Sequence, residues 1–252
     1  MRKLYLLSIF WGCLLISYSQ SYCPNLDFSM GNSTNWQRLR GTCIRSIGGG
    51  LYTFDIDSCW TDTVPFEIMD AVSLIGANNF YDENCSFIPK VPNGYDFSCC
   101  FGKVFPLGYC GDRIEYELTI DSNNSLLLFS FACIFWDVIL YNIFPIGDYF
   151  RIKIKDSADR LLNIPCNNIG AIKTNGSYLL CPNFGTYHVH WGQTWTTVGF
   201  NLEAFMGQKI KICAETIART GGSSWSENIY AYAVADCRPS KGRKTTYPIS
   251  NL

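Results

Sequence analysis

The chain has little with which to run acid–base or metal chemistry. Its 252 residues hold two histidines, both in Tyr187-His-Val-His-Trp191. It has no Gly-x-Ser-x-Gly, no His-Glu-x-x-His and no phosphate-binding glycine loop. Those absences remove the motif-borne nucleophile, zinc-peptidase and nucleotide classes. No Cys-x-x-Cys occurs, which sets aside a zinc cluster. No heptad and no amphipathic helix of useful length is present, which sets aside helical architectures. A positive surplus is lacking too. Lys and Arg number 20 against 21 Asp and Glu, for a net charge of −1. That balance argues against a nucleic-acid partner and against electrostatic attachment to an anionic membrane.

What is present begins with a leader. Met1-Arg-Lys3 is followed by an apolar run from Leu4 to Ile16 and by Ser17-Tyr-Ser-Gln-Ser21. A basic start, an apolar core too short to span a bilayer and small residues beyond it read as a signal peptide over 1–19. Its removal takes Arg2 and Lys3 with it, so the net charge falls from −1 to −3. The expected location is secreted or cell surface, with no membrane insertion of the mature chain. Residues 20–237 are expected to form one domain, since all-β domains often reach this size. Residues 238–252, with Arg238-Pro-Ser-Lys-Gly-Arg-Lys-Thr-Thr246, read as a disordered basic tail or as a link to further domains.

Of 13 cysteines, Cys13 lies in the leader. The remaining twelve are Cys23, Cys43, Cys59, Cys85, Cys99, Cys100, Cys110, Cys133, Cys166, Cys181, Cys213 and Cys237. An even number in an exported chain reads as a disulfide set. The neighbours Cys99 and Cys100 are expected to seek different partners, because a bond between adjacent residues is strained.

Hydrophobic periodicity gives strands. Ile114, Tyr116, Leu118 and Ile120 alternate with Arg113, Glu115, Glu117 and Thr119, the pattern of a half-buried strand. Asp121-Ser-Asn-Asn-Ser125 is a turn. Leu126 to Trp136 is almost wholly apolar and too short to cross a membrane as a helix, so it reads as a central strand buried on both faces. Phe150 to Lys155 alternates again, and Asp156 to Asp159 turns the chain. Further strands are expected at Tyr178–Cys181, Thr194–Phe200, Lys209–Glu215 and Asn228–Ala235. Shorter ones are expected near Gly50–Asp55 and Tyr95–Cys99. Many short strands between turns predict an all-β fold, a β-sandwich of jelly-roll type stapled by disulfides.

Several stretches in order carry a resemblance. They are Asn25-Leu-Asp-Phe28 with Gly31-Asn32 and Trp36, Gly94-Tyr-Asp-Phe97, Arg113-Ile-Glu-Tyr116 and Asn124-Ser-Leu126. Phe150-Arg-Ile-Lys-Ile-Lys-Asp156, Trp195-Thr-Thr-Val-Gly-Phe-Asn-Leu202, Gly207-Gln208, Gly221-Gly222, Tyr230-Ala-Tyr232 and Asp236-Cys237 follow. Together they resemble a module of secreted and surface proteins of the Bacteroidota, found upstream of PKD repeats in gliding and type IX-secreted proteins. That module is a carbohydrate-binding, galactose-binding-like jelly roll. Its Gly-Gly-His-Phe-Gly-Tyr-Ala-Tyr run departs here, where the His is missing and Ser223 to Asn228 is inserted.

The resemblance implies a structural calcium between first and last strands, for which Asn25, Asp27 and Asp236 are the candidate oxygen ligands. It also implies that Cys23 pairs with Cys237, since the two flank strands that lie together in this type of fold. From the residues themselves, His188 and His190 share a strand face and can grip a ligand or metal. Among Trp60, Trp136, Trp191, Trp195 and Trp225, the rings of Trp136 and Trp195 read as core. Trp191 and Trp225 lie in polar loop contexts and suit a sugar platform, with Tyr187 beside the first. The expected function is a non-catalytic module for adhesion or glycan binding, with a surface glycan or another cell-surface protein as partner. A glycan hydrolase or lyase on the same scaffold and a purely structural piece of a surface assembly are the alternatives.

Overall fold

The computed structural model describes residues 23–42, 60–63, 67–70, 80–102, 109–138, 149–164, 167, 169–172, 179–180, 188–217 and 229–240. The expected leader, the strand near Gly50–Asp55, the Gly221-Gly222 turn and residues 241–252 lie outside them. Among the described residues no helix is long and apolar enough to cross a membrane.

The described strands are β1 (Trp36–Thr42), β2 (Trp60–Thr63), β3 (Glu67–Asp70), β4 (Phe97–Phe101), β5 (Tyr109–Thr119) and β6 (Leu126–Val138). They continue with β7 (Tyr149–Asp156), β8 (Ile169–Ile172), β9 (Leu179–Leu180), β10 (His188–Asn201), β11 (Lys209–Ile217) and β12 (Ile229–Arg238). Two antiparallel sheets result. Sheet A runs β2-β1-β5-β11-β7-β8, and sheet B runs β3-β4-β12-β6-β10-β9. From β4 to β7 the chain changes sheet at every step, and again from β10 to β12. The late strands β11 and β12 drop into the middle of sheets begun much earlier. That winding is a jelly roll, as the sequence predicts.

The apolar run of β6 is explained by its place. Leu127, Phe129, Phe131, Cys133 and Phe135 face sheet A and join the core between the sheets. Ala132 and Ile134 point the other way, into a second apolar cluster. Successive side chains of a strand alternate faces, so a strand covered on both sides has little room for polar residues, and Ser130 within the run is hydrogen-bonded to Thr197 at 2.7 Å. Phe131 stacks on Phe150 of β7 at 4.5 Å between ring centroids, joining the two sheets. Fully burying each such ring contributes about 1.5–3 kcal/mol.

The second cluster exists because the segment around residues 80–95 folds over the outer face of sheet B. Cys85, Ile88 and Val91 pack there on Ala132, Ile134, Tyr230 and Tyr232. Trp195 sits where the register of β10 shifts between Gln193 and Thr196. Its half-buried ring packs against this cluster, and its indole N–H donates to the Pro89 carbonyl at 2.7 Å.

An N-terminal loop closes one end of the sandwich. Leu26 and Phe28 enter the main core, and Phe28 stacks on Trp36 at 5.0 Å. Cys23 is bonded to Cys237, with Cα atoms 6.2 Å apart. The expected pairing is therefore present.

The reading of all twelve cysteines as a disulfide set is corrected. Cys99, Cys100, Cys133 and Cys213 are buried thiols. Alternation along β4 sends Cys99 into the inter-sheet core and Cys100 into the second cluster, on opposite faces. There they act as small apolar side chains. Cys85 is disulfide-bonded.

Candidate functional site

The outer face of sheet A is built from the polar half of three alternating strands. Register pairs Arg113 of β5 with Glu215 of β11, Glu115 with Cys213 and Glu117 with Lys211. On the other side of β11, Glu215 lies opposite Arg151 of β7, Cys213 opposite Lys153 and Lys211 opposite Lys155. Nine consecutive outward positions of the central strands are thus Arg, Lys, Glu or Cys. The reading of β5 as half-buried is corrected at its middle. Arg113 and Glu115 on its polar face are only 4% and 6% exposed. Glu215 is 0% exposed, and Lys153 and Lys155 are also buried.

These charges are organised by sign. Arg113 spans two carboxylates, Glu115 at 3.2 Å and Glu215 at 2.5 Å. Glu215 also takes Arg151, with Lys153 at 3.6 Å. The Arg151 guanidinium lies 5.2 Å from the centre of the Tyr149 ring. Lys211 reaches Asp159 of the turn after β7 at 2.9 Å, with Glu115 at 3.6 Å and Glu117 at 3.9 Å. The hydrogen bond from Lys211, helped by its charge and that of Lys155, holds the Asp159 carboxyl below the usual range. Burial works against the Lys211 charge, but Asp159 and Glu115 outweigh it and raise its pKa. At the centre, the Cys213 thiol donates to Glu115 at 3.6 Å. Burial, followed by the Glu115 charge, pushes that thiol up, so it stays protonated.

At one end of the sandwich interior lies a second ion pair. Arg38 donates to Asp112 from Nε at 2.8 and 2.9 Å, and the Gly102 N–H donates to the same carboxylate at 2.8 Å. Gly102 has φ +86°, and a Cβ there would stand 2.4 Å from Thr216 Oγ1, so only glycine fits.

The sequence-predicted residues are distributed as follows. Tyr187 and Trp225 lie outside the described residues. His188 and His190 are strand residues of β10, in register with Val138 and Trp136. Trp191 is a strand residue in register with Phe135, not a loop residue. The loop reading failed because β10 begins six residues before the alternation that marks it in the sequence.

Asn25 and Asp27 share the N-terminal loop. The Asn25 amide donates to the Asn32 and Thr34 carbonyls at 2.9 and 2.8 Å and accepts from the Met30 N–H at 3.0 Å. Asp27 accepts from the Ser29 N–H at 3.1 Å. Burial, with the Asp27 charge adding to it, pushes the Tyr116 phenol up to about 12. Asp236 is paired with Arg238 at 2.7 Å. Asn25 and Asp236 thus already have hydrogen-bond or ion-pair partners. No group of three His, Cys, Asp or Glu suited to a metal occurs among the described residues.

The charged face of sheet A was not found from the sequence. A signal was there, since Arg-Glu-Glu, Lys-Cys-Glu and Arg-Lys-Lys on three alternating strands are complementary in sign. Pairing them needs the strand order.

No family model and no curated protein matches the sequence. Among solved structures, TmCBM61 in complex with β-1,4-galactotriose is similar at 10% identity and TM-score 0.38, over 87% of this chain and all 100% of that one. A cyclase from Fischerella sp. TAU is similar at 13% identity and TM-score 0.35, over 86% of this chain and 96% of that one. The K1 cleaved adhesin domain of Lys-gingipain from Porphyromonas gingivalis W83 is similar at 10% identity and TM-score 0.31, over 69% of this chain and 92% of that one. Likeness at this level carries no assignment of ligand or activity.

Proposed function

We propose that the chain is an exported, non-catalytic β-sandwich module that binds a glycan or another cell-surface partner and serves adhesion. The observation that carries the reading is the outer face of sheet A. A jelly roll holds together through the core between its sheets, and that core is complete without this face. Apolar cover would be no less stable than buried ion pairs, which must offset their own desolvation. The solvent-facing margin of this face, Glu117, Lys209 and Asp159, presents the fixed donors and acceptors that recognition of a hydroxyl-rich ligand requires. Glu115 and Glu215 share Arg113, so both carboxylates are held within the network.

Trp225 supplies the aromatic part of the proposal. A ring in Gly221-Gly-Ser-Ser-Trp225 suits stacking on a sugar face.

A glycan array and a cell-adhesion assay test the reading. The expected result is retention on at least one glycan class or cell surface. Trp225→Ala should weaken it several-fold, the loss of about 0.5–1.5 kcal/mol for one stacked ring, with the melting temperature nearly unchanged. Failure to bind any glycan or surface would end the proposal.

A further inference from the structure

The outer face of sheet B is covered at one end and open at the other. Along β12 the outward residues Tyr230, Tyr232 and Val234 are buried, whereas the side chains of Asp236 and Arg238 are 31% and 46% exposed. On β10, Gly192 is buried, and Thr197, Gly199 and Asn201 are exposed. Between these strands lie the half-buried Leu128 and Leu126 of β6. They are in register with Gly199 and Asn201 on one side and with Asp236 and Arg238 on the other. Each half of β10 carries a glycine on this face. At Gly192 the covering segment accounts for it, because an added Cβ would stand 2.4 Å from Cys85 Sγ and 2.8 Å from Ile88 Cδ1. Nothing among the described residues accounts for Gly199. Its φ is not left-handed, and an added Cβ would meet only Leu128 at 3.5 Å and Leu126 at 4.0 Å. A glycine inside a strand weakens it, and marks a bulge, a bend or the close approach of a ligand or another backbone. Pairing with β6 runs unbroken from Thr196 to Asn201, so no bulge is present there.

We infer that the open half of sheet B is a second contact surface, on which an uncharged sugar ring lays its apolar face over Leu128 and Leu126 across Gly199. The inference rests on the reading of the chain as a glycan-binding module and adds a site on the sheet opposite the charged margin. The rim suits hydroxyls, which both donate and accept. Asn201 spends its amide oxygen on the Glu203 N–H at 3.0 Å, and its amide N–H groups have no partner among the described residues. Asp236 takes Arg238 through Oδ2 alone, which leaves Oδ1 as an acceptor. Charge complementarity selects a neutral ligand, because Asp236 and Arg238 cancel and the other residues of this surface are uncharged. An apolar floor with a few polar groups at its edge is the ordinary make-up of a small-ligand site.

The experiment is affinity electrophoresis of the intact protein in gels holding β-1,4-galactan, β-mannan or dextran, with a melting curve for each variant. At least one of the three neutral polymers should retard the wild type. Gly199→Val fills the space over the leucines with a residue that strands favour. It should weaken retention by about tenfold or more, because the ring loses its apolar floor. Its melting midpoint should be unchanged or higher, a result that a purely structural glycine would not give together with lost binding. Asn201→Ala should weaken retention several-fold through a lost hydrogen bond, and it keeps the test valid if the Val variant folds poorly. The inference is overturned if none of the three polymers retards the wild type, or if both variants bind as the wild type does. A glycan array that retains the wild type on acidic glycans alone would overturn it and leave the glycan-binding proposal standing. A dimer in sedimentation velocity that Gly199→Val dissolves, with no neutral polymer bound, would give the face to a second copy of the chain and overturn it too. An array with no glycan bound at all would remove the glycan reading together with this site.

Discussion

Tyr232 donates a 2.7 Å hydrogen bond to Asp82 across 150 residues of sequence. Tyr230 donates to the same carboxylate at 2.8 Å, and the Asn84 backbone N–H adds a third bond at 2.8 Å. Burial, with the Asp82 charge adding to it, raises both phenols far above their usual range, so both remain donors. The segment that covers sheet B is therefore latched by one buried carboxylate. Tyr232→Phe is expected to destabilise the protein by about 1–3 kcal/mol, because a buried charged acceptor loses a donor. Urea unfolding measures the loss, and limited proteolysis should find the segment around residues 80–95 cut sooner. An unchanged urea midpoint would show that the latch does not hold.

The Cys23–Cys237 bond spans 214 residues. A cross-link of that reach removes about 5 kcal/mol of unfolded-state entropy in the chain-entropy model, and measured effects are often smaller. The double change Cys23→Ser with Cys237→Ser is expected to cost about 2–5 kcal/mol. Guanidinium unfolding of the two proteins is the measurement. Equal midpoints would mean that Phe28, Trp36 and Tyr116 hold the loop without the bond.

Asp159 and Lys211 make a pH-dependent pair. The Asp159 pKa is lowered by the fold, so its contribution is present above the unfolded value of about 3.9 and is lost as pH falls below it. The Lys211 pKa is raised, so its contribution is present below about 10.4 and is lost as pH rises above it. Asp159 is 61% exposed at its side chain, which limits the pair to about 0.2–1 kcal/mol. Asp159→Asn should therefore lower stability slightly at pH 7, and the difference should shrink as the pH falls below about 3.9 towards the lowered folded value. A gap between variant and wild type that does not shrink with falling pH would point to a packing effect instead.

Calcium at Asn25, Asp27 and Asp236 would have to compete with Arg238 for Asp236 and with the Met30 N–H for the Asn25 oxygen. The expected outcome is one melting midpoint in EDTA and in millimolar calcium. A midpoint raised by calcium and lost in Asp27→Asn would reinstate the ion.

The frame of the fold was legible where local pattern and tertiary cover agree. The almost wholly apolar run of β6 reads as a strand covered on both faces, and around Ala132 and Ile134 it is. Lys209–Glu215 and Phe150–Lys155 show their inward residues by alternation alone. The same alternation misled on the other face, because Lys153 and Glu215 look like solvent positions in isolation. Their burial depends on β5, β11 and β7 becoming neighbours, which no local pattern encodes. β1 was missed for a different reason. It follows a loop held by left-handed backbone at Asn25, Phe28 and Asn35. That loop carries turn chemistry, and it hides the strand behind it. The thiols were misread because cysteine count reports compartment, whereas a buried Cys133 in a strand core reports only volume.

The placement of β11 and β12 also governs how the molecule is made. Sheet A has a gap between β5 and β7 until Ile217 has been synthesised, and sheet B has one between β4 and β6 until Arg238 follows. Neither core can close on a partial chain, and nearly every stabilising pairing joins segments far apart in sequence. Such topologies fold late and slowly. A nascent chain short of β11 and β12 has no compact native state to fall into, and so remains threadable until both strands have been made.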